Sequence, residues 1–257
     1  MKNLLKEKLE RGENPAGMFS VLGGIAAAEC LGMAGLDYCI FDTEHGPGDV
    51  ESVLPSVLAA ERRGVAPLVR VKDSSRASVL KMLDIGAMGL VVPFINTLEE
   101  VEHLVGYAKY APVGSRGYGI VRASGYGLAD YAADTPAYFA LSNRETLLLP
   151  QCETQGCLAH IEQITAMPGV DGIFVGPYDL SVALGVPGEL DHPDLTAAIV
   201  RVQAACTQAG KYAFIFAGNP THARRYLDMG YHSVTCGVDA TLLAQAARDM
   251  RTKIYGA

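Results

Sequence analysis

Two carboxylates near the middle of the chain are the residues best suited to do chemistry. Glu153 follows the apolar run at residues 147–149, and Asp179 follows the apolar run at residues 172–175. Two hard oxygen ligands with no imidazole beside them suit Mg²⁺ or Mn²⁺, with water and substrate completing the coordination. Each acid could instead simply begin or cap a helix, where carboxylates are favoured.

Both acids belong to one strand-helix-strand unit. Apolar residues recur at helical spacing from Leu158 to Met167, and Pro168-Gly169 ends that pattern. The flanking apolar runs are typical of parallel strands that are covered on both faces. A parallel crossover places the carboxyl ends of both strands at the same edge of the sheet. We therefore expect Glu153 and Asp179 to face each other there.

The same alternation extends along the whole chain. Strand-like runs lie at residues 18–21, 38–42, 68–71, 89–93, 146–151, 172–175, 212–216 and 233–237. Helical patterns lie between or after them, at residues 26–34, 50–63, 76–85, 98–110, 155–167, 195–209, 221–229 and 240–251. Eight such pairs predict an α/β protein, a (β/α)₈ TIM barrel formed by one domain over residues 1–257. A doubly wound sheet is disfavoured because no G-x-G-x-x-G turn follows the first strand.

Other reactive side chains also follow predicted strands. His45 lies in a turn after the second strand, where it could transfer protons or be an ordinary loop histidine. Arg70 interrupts the apolar third strand, either to stabilise an oxyanion or carboxylate or to form a structural ion pair with Asp42 or Glu44. Asp84 ends the third helix and carries little weight alone.

A glycine-rich segment follows the fourth strand. Residues 115–127 read SRGYGIVRASGYG and contain Arg116 and Arg122. Such a segment could be a flexible lid that contacts an anion over the site, or an irregular surface loop.

Composition excludes several classes of protein. The 257 residues carry a net charge of −7 and are 49% hydrophobic. The negative charge argues against a nucleic-acid partner, although local arginines could still bind a small anion. No apolar run is long enough for a membrane span, and the charged N-terminus lacks signal-peptide features, so we expect a cytoplasmic protein. The six cysteines form no C-x-x-C pair and indicate buried thiols rather than disulfides or a zinc site.

Four motifs occur in order along the chain: Asp42-x-Glu-His45-x-Pro, Arg70, Gln151-x-Glu153-Thr and Gly176-Pro-x-Asp179-Leu-Ser. Together they resemble the HpcH/HpaI family of class II pyruvate aldolases over essentially the whole chain. The resemblance implies a barrel of the phosphoenolpyruvate/pyruvate-binding type.

The resemblance also implies roles for these residues. Glu153 and Asp179 would hold Mg²⁺, Mn²⁺ or Co²⁺, which pyruvate would chelate through its carboxylate and keto oxygens. Arg70 would stabilise the enolate oxygen, and Gln151 would orient metal-bound water. The backbone amides of Tyr178 and Asp179 would receive the pyruvate carboxylate.

Further implications concern the neighbouring subunits. His45 would be the acid/base, acting through water, and Asp84 of a neighbouring subunit would orient it. The assembly would be a homo-hexamer, a trimer of dimers, with the helix at residues 240–251 exchanged between subunits.

The leading hypothesis is therefore a metal-dependent aldolase that reversibly cleaves a 4-hydroxy-2-oxo acid to pyruvate and an aldehyde. The same scaffold resembles siderophore-linked citrate synthases, so condensation of oxaloacetate with acetyl-CoA is the alternative. A Schiff-base aldolase using Lys72 and a non-enzymatic binding protein are further alternatives. The sequence departs from the family pattern at Phe19, Thr43 and Tyr178, and the loop containing Arg116 and Arg122 is shorter than in the dicarboxylate aldolases. The resemblance therefore does not fix the aldehyde.

Overall fold

The computed structural model describes residues 1–256 and shows a closed barrel of eight parallel strands. Each strand pairs with its sequence neighbours, and the last pairs with the first. The strands are β1 (Ala16–Ser20), β2 (Tyr38–Asp42), β3 (Ala66–Arg70), β4 (Gly89–Val92), β5 (Leu147–Cys152), β6 (Gly172–Val175), β7 (Tyr212–Ala217) and β8 (Ser233–Val238). The predicted (β/α)₈ barrel is confirmed.

Helices alternate with the strands and are more numerous than predicted. They are α1 (Leu4–Glu10), α2 (Gly24–Met33), α3 (Val50–Arg62), α4 (Arg76–Asp84), α5 (Leu98–Ala108), α6 (Thr135–Glu145), α7 (Gln155–Ala159), α8 (Ile161–Ala166), α9 (Pro177–Ala183), α10 (Pro193–Ala209), α11 (Pro220–Asp228) and α12 (Asp239–Tyr255). Two short 3₁₀ segments, Arg122–Gly127 and Asp130–Ala132, lie in the long connection before α6. The single helix predicted at residues 155–167 is divided at His160, and α6 and α9 were not among the predicted helices.

Capping side chains fix where several helices begin. Asp49 and Thr97 each form a reciprocal capping box at the start of α3 and α5, and Ser75 caps α4. Each cap satisfies a first-turn N–H that has no acceptor within its helix. The caps therefore fix where the helices that follow β2, β3 and β4 begin.

The strands are buried on both faces, as parallel strands in such barrels usually are. Alternate side chains point into the barrel, where Tyr38, Phe174 and Phe214 are almost completely buried. The intervening side chains pack against the surrounding helices in a second apolar layer. Leu5 and Leu9 of α1 join the inner layer and cover one end of the barrel. The opposite, carboxyl end of the barrel is where the charged residues collect.

The last helix, α12, packs little of its surface against the rest of the chain. Its first residue, Asp239, is buried and accepts hydrogen bonds from Ser20 Oγ at 2.7 Å and the Val21 amide at 2.9 Å. Beyond that point its large apolar side chains are 57–75% exposed: Leu242, Leu243, Met250, Ile254 and Tyr255. The apolar side chains of this amphipathic helix are thus left without a packing partner among the described residues.

The six cysteines are free thiols, and the structure agrees with the prediction for most of them. Cys39, Cys152, Cys157 and Cys206 are buried, Cys236 is half-buried and Cys30 is exposed. Among residues 1–256, no helix combines the length and the apolar character needed to cross a bilayer.

A candidate active site at the carboxyl end of the barrel

Glu153 lies just after β5 and is almost fully buried. Its Oε1 accepts a hydrogen bond from the Phe94 amide at 2.7 Å, and its Oε2 accepts one from the Gln151 side-chain amide. Burial raises the pKa of Glu153 to about 7, and the nearby negative charges of Glu44 and Asp179 act in the same direction. Neutralisation by a cation would remove this penalty.

The amide that binds Glu153 comes from a strained residue. Phe94 has a φ of 57°, in the left-handed region that a bulky residue rarely adopts, and its side chain is largely exposed. This conformation directs the amide of Phe94 at the carboxylate. Sequence patterns give no signal for such a role, because a phenylalanine carries no preference for positive φ.

Asp179 is brought beside Glu153 by the turn that leads into α9. Asp179 lies in the first turn of α9, after Gly176 and Pro177. A Cβ at position 176 would lie only 3.0 Å from both Glu153 Oε2 and Gln151 Nε2. Only glycine therefore lets the start of α9 pass so close to the end of β5, and the Gly176-Pro-x-Asp179 motif has a steric basis.

Arg70 is held by two carboxylates at the end of β3. Its Nε and one terminal nitrogen donate to the two oxygens of Asp42 at 2.9 and 2.7 Å, and the other terminal nitrogen lies 3.0 Å from Glu44 Oε2. The guanidinium carbon also stands 4.7 Å from the centre of the Phe19 ring. The ion pair that the sequence allowed is therefore present. Arg70 also lines a cavity of about 180 Å³ at this end of the barrel.

The charges at this end of the barrel do not balance. Arg70 pairs with Asp42 and Glu44, whereas the nearby carboxylates of Glu153 and Asp179 have no cationic partner among the described residues. Burial raises the pKa of Glu44, and the positive charge of Arg70 opposes that shift. A site with this excess of negative charge and partly desolvated acids favours a divalent cation.

His45 and Asp179 lie where two cavities meet. The smaller cavity, about 180 Å³, also contacts Arg70, Gln151 and the aromatic residues Phe19, Phe174, Tyr178 and Phe216. The larger, about 450 Å³, includes Glu44 and Glu153. The His45 side chain is mostly exposed, with Nε2 3.9 Å from Glu44 Oε2. A histidine at this junction could reach a substrate in either cavity through water.

The donor set fits a divalent cation that takes most of its ligands from water and substrate. Gln151 Oε1 is buried and has no hydrogen-bond partner among the described residues, so it is free to accept from a water molecule. Within residues 1–256, no cluster of three or more histidine, cysteine, aspartate or glutamate side chains is arranged around one point. A cation here would therefore have two carboxylate ligands at most and an open coordination sphere.

Asp84 and the glycine-rich loop lie at the other end of the barrel. Asp84 ends α4 and pairs with the buried Arg116 at 2.8 Å, while Arg122 donates to the Ile85 carbonyl at 2.7 Å and pairs with Glu61 at the end of α3. Because the helices run antiparallel to the strands, these contacts place the loop near the amino ends of the strands. The loop is not a lid over the site of its own chain; its arginines bind acids on α3 and α4.

Lys72 also lies outside the site. Its ammonium pairs with Asp49 at 3.2 Å, and both side chains are more than half exposed. A Schiff-base lysine needs a desolvated environment that lowers its pKa. The structure gives the Lys72 hypothesis no support.

The barrel and this cluster of charges define a (β/α)₈ enzyme with its site at the carboxyl ends of the strands. The chain belongs to the HpcH/HpaI aldolase/citrate lyase family, whose model matches residues 16–246. It is 36% identical over 252 residues to a pyruvate aldolase of Rhizobium etli, covering 98% of this chain and 97% of that protein. It is 36% identical over 250 residues to a 5-keto-4-deoxy-D-glucarate aldolase of Escherichia coli, covering 96% and 95%.

A crystal structure from Burkholderia cenocepacia, of an aldolase/citrate lyase family protein, superimposes with a TM-score of 0.89 at 35% identity. The match covers 98% of this chain and 99% of that chain. The resemblance read from the four motifs is thus confirmed, and the family membership identifies the chain as a carbon–carbon lyase.

Proposed function

We propose that this protein is an aldolase that reversibly cleaves a 4-hydroxy-2-oxo acid to pyruvate and an aldehyde, with a divalent cation held by Glu153 and Asp179. The observation that carries the proposal is the imbalance of charge at the barrel mouth. Two acids there, Glu44 and Glu153, have raised pKa values. Arg70 pairs with Asp42 and Glu44, which leaves Glu153 and Asp179 without a cationic partner among the described residues. Hard oxygen donors of this kind favour Mg²⁺, Mn²⁺ or Co²⁺ over softer cations.

Binding of the 2-oxo acid would use the start of α9. The amides of Tyr178 and Asp179 lie in the first helical turn, where N–H groups have no acceptor within the helix. They are free to donate to the carboxylate of pyruvate. Gln151, whose Oε1 faces no protein donor among the described residues, would fix a water molecule beside it.

Arg70 would stabilise the charge that develops on the keto oxygen. Asp42 and Glu44 hold the guanidinium from two sides, so it is oriented before substrate arrives. A preorganised donor of this type is worth roughly 2.7–4 kcal/mol of transition-state stabilisation. When bound, the cation would act as a Lewis acid on the same oxygen and make a methyl proton of pyruvate easier to remove.

His45 would transfer the proton to and from the aldehyde oxygen through water. Its mostly exposed imidazole lies at the junction of the two cavities, within reach of Asp179 and Glu44. Asp84 lies at the other end of the barrel from His45 in the same chain, so we propose that any contact between Asp84 and His45 joins two subunits. A catalytic pair of this kind would require an oligomer.

The exposed apolar side chains of α12 support such an assembly. Its large side chains are 57–75% exposed in the isolated chain, which is a substantial apolar surface to leave in water. We propose a homo-hexamer, a trimer of dimers, in which α12 packs on a neighbouring subunit. Burial of these side chains would then contribute to association.

The test is exchange of the pyruvate methyl protons in D₂O, followed by NMR, with Mg²⁺ or Mn²⁺ and then with EDTA. Exchange that needs the metal and is lost in Glu153→Ala and Asp179→Ala is the expected result. His45→Ala should keep pyruvate binding and lose aldol turnover. Full exchange in either carboxylate variant with metal supplied would rule out the proposed metal site.

The competing hypothesis is condensation of oxaloacetate with acetyl-CoA. It would use the same cation and the same arginine, so the two reactions are separated by turnover rather than by geometry. Formation of citrate from these substrates, together with no exchange of pyruvate protons, would favour the condensation.

A further inference from the structure

The smaller cavity has a polar side and an apolar side. Its charged and amide side chains come from the ends of β2, β3 and β5 and from α9: Asp42, His45, Arg70, Gln151 and Asp179. The remaining side is formed at the ends of β1, β7 and β8, and its residues are Phe19, Val21, Phe216 and Val238. Phe19 packs edge-on against both Phe174 and Phe216, with ring centres 5.8 and 5.7 Å apart. The apolar side is therefore a rigid aromatic surface.

Tyr178 stands at the mouth of this apolar side. Its ring centre lies 6.0 Å from that of Phe216, and the residue is 45% exposed. Its hydroxyl rests against Gly218, where a Cβ would come within 2.8 Å of the phenolic oxygen. The tyrosine ring can occupy this position because residue 218 has no side chain. Tyr178 and Gly218 thus form a matched pair that narrows the cavity.

We propose that Tyr178, seated on Gly218, is a specificity-determining residue that restricts the aldehyde subsite to small, apolar substituents. The inference rests on the proposed aldolase function, in which Arg70 and the start of α9 bind the 2-oxo acid. The substrate atoms beyond the reacting carbon then lie against Tyr178 and Phe216. Because the Tyr178 hydroxyl is directed at Gly218, a substrate hydroxyl placed against the two aromatic rings would lose its water without gaining a partner. A long chain would meet the tyrosine ring.

The first experiment compares aldehydes with pyruvate as the donor. Propanal carries a methyl group where glycolaldehyde carries a hydroxyl group of nearly the same size. A comparison of their kcat/KM values therefore separates the effect of polarity from the effect of size. Propanal should be preferred by roughly tenfold or more, even though the hydroxyl makes the carbonyl of glycolaldehyde more electrophilic. Equal use of the two, or a preference for glycolaldehyde, would overturn the apolar assignment.

The second experiment tests the role of Tyr178 in size selection with propanal and hexanal. Tyr178→Ala should raise the hexanal-to-propanal ratio of kcat/KM by about tenfold or more, because the ring no longer closes the cavity. Tyr178→Phe should keep the ratio of the parent protein, since the ring remains. Val200→Ala, at an exposed position in α10 away from both cavities, is the control and should also keep the ratio. An unchanged ratio in Tyr178→Ala would refute the proposal.

Exchange of pyruvate protons in D₂O is measured on the same samples. Tyr178 is proposed to bind pyruvate through its backbone amide, which Tyr178→Ala retains. Metal-dependent exchange in this variant therefore shows that it is folded and that the pyruvate half of the site works, and a change in the aldehyde ratio is then specific. Absence of exchange in the parent protein would refute the proposed function, and the subsite proposal would fall with it. Exchange in the parent with no change in selectivity would refute the subsite proposal alone.

Discussion

Replacing Glu153 with glutamine should make the metal-free protein more stable at alkaline pH while removing its metal-dependent activity. The glutamine side chain is nearly the same shape and carries no charge. Its Oε1 can still accept from the Phe94 amide, and the Gln151 amide can turn so that its unpaired Oε1 accepts from the new NH₂ group. The substitution therefore removes one buried charge without opening a cavity.

The magnitude follows from the shift in the pKa of Glu153, which burial raises from 4.5 to about 7. The folded protein binds this proton more tightly than the unfolded chain, so stability falls as pH rises from about 4.5 to about 7. Above pH 7 the full penalty applies, and 1.36 kcal/mol per unit gives about 3 kcal/mol. Glu153→Gln lacks this penalty at any pH.

The assay is urea unfolding in EDTA at pH 5 and pH 8. Relative to the parent protein, Glu153→Gln should gain little free energy of unfolding at pH 5 and about 2–3 kcal/mol more at pH 8. Adding Mn²⁺ should stabilise the parent protein and leave the variant nearly unaffected, because ligands stabilise only the state that binds them. Metal-dependent turnover of the variant should fall below detection.

Glu102→Gln, at an exposed position in α5, is the control and should show no gain that depends on pH. The reasoning would be refuted if Glu153→Gln gained as much at pH 5 as at pH 8, or if it were destabilised at both. Either result would mean that Glu153 is not a buried carboxylate with a raised pKa.

Three further predictions concern Arg70, the glycine beside the carboxylates and the last helix. Arg70→Lys should lower turnover by about 100-fold or more, measured by steady-state kinetics. The planar guanidinium of arginine binds Asp42 at 2.9 and 2.7 Å while it also faces the cavity, and the ammonium of lysine cannot do both. Gly176→Ala should weaken Mn²⁺ binding by about tenfold or more in calorimetry, since its Cβ would stand 3.0 Å from the neighbouring carboxylate. Its control is Gly106→Ala, whose Cβ would meet only Ser115 Oγ, at 3.5 Å. Met250→Glu should shift the mass in analytical ultracentrifugation to a smaller species, whereas Met250→Leu should not, and an unchanged mass would exclude α12 from the interface.

The order of secondary structure could be predicted from the sequence because its signals are local. Apolar runs of four to six residues, each followed by an amphipathic helix, identify the strands wherever they lie in the fold, and all eight were located to within about two residues. The location of the candidate site was also readable, since parallel strands necessarily bring their carboxyl ends to one edge. Glu153, Asp179, His45 and Arg70 are found at that edge.

The position of the glycine-rich loop at residues 115–127 was decided by tertiary structure. Its glycines and arginines are equally compatible with a lid over the site and with a surface loop. The acids that bind Arg116 and Arg122 lie at the ends of α3 and α4, more than 30 positions away in the sequence. Local spacing cannot specify such a pairing, so the sequence left both possibilities open.

The sequence by itself determined the barrel, the strand-end carboxylates and the family. The fold alone decided that Arg70 is clamped by Asp42 and Glu44 together, and that Phe94 donates its amide to the buried carboxylate. It also decided that Tyr178 fits over Gly218. The physical reason is the range of the interactions: periodicity and turn residues act within a few positions, whereas burial, ion pairing and close packing depend on which distant segments meet.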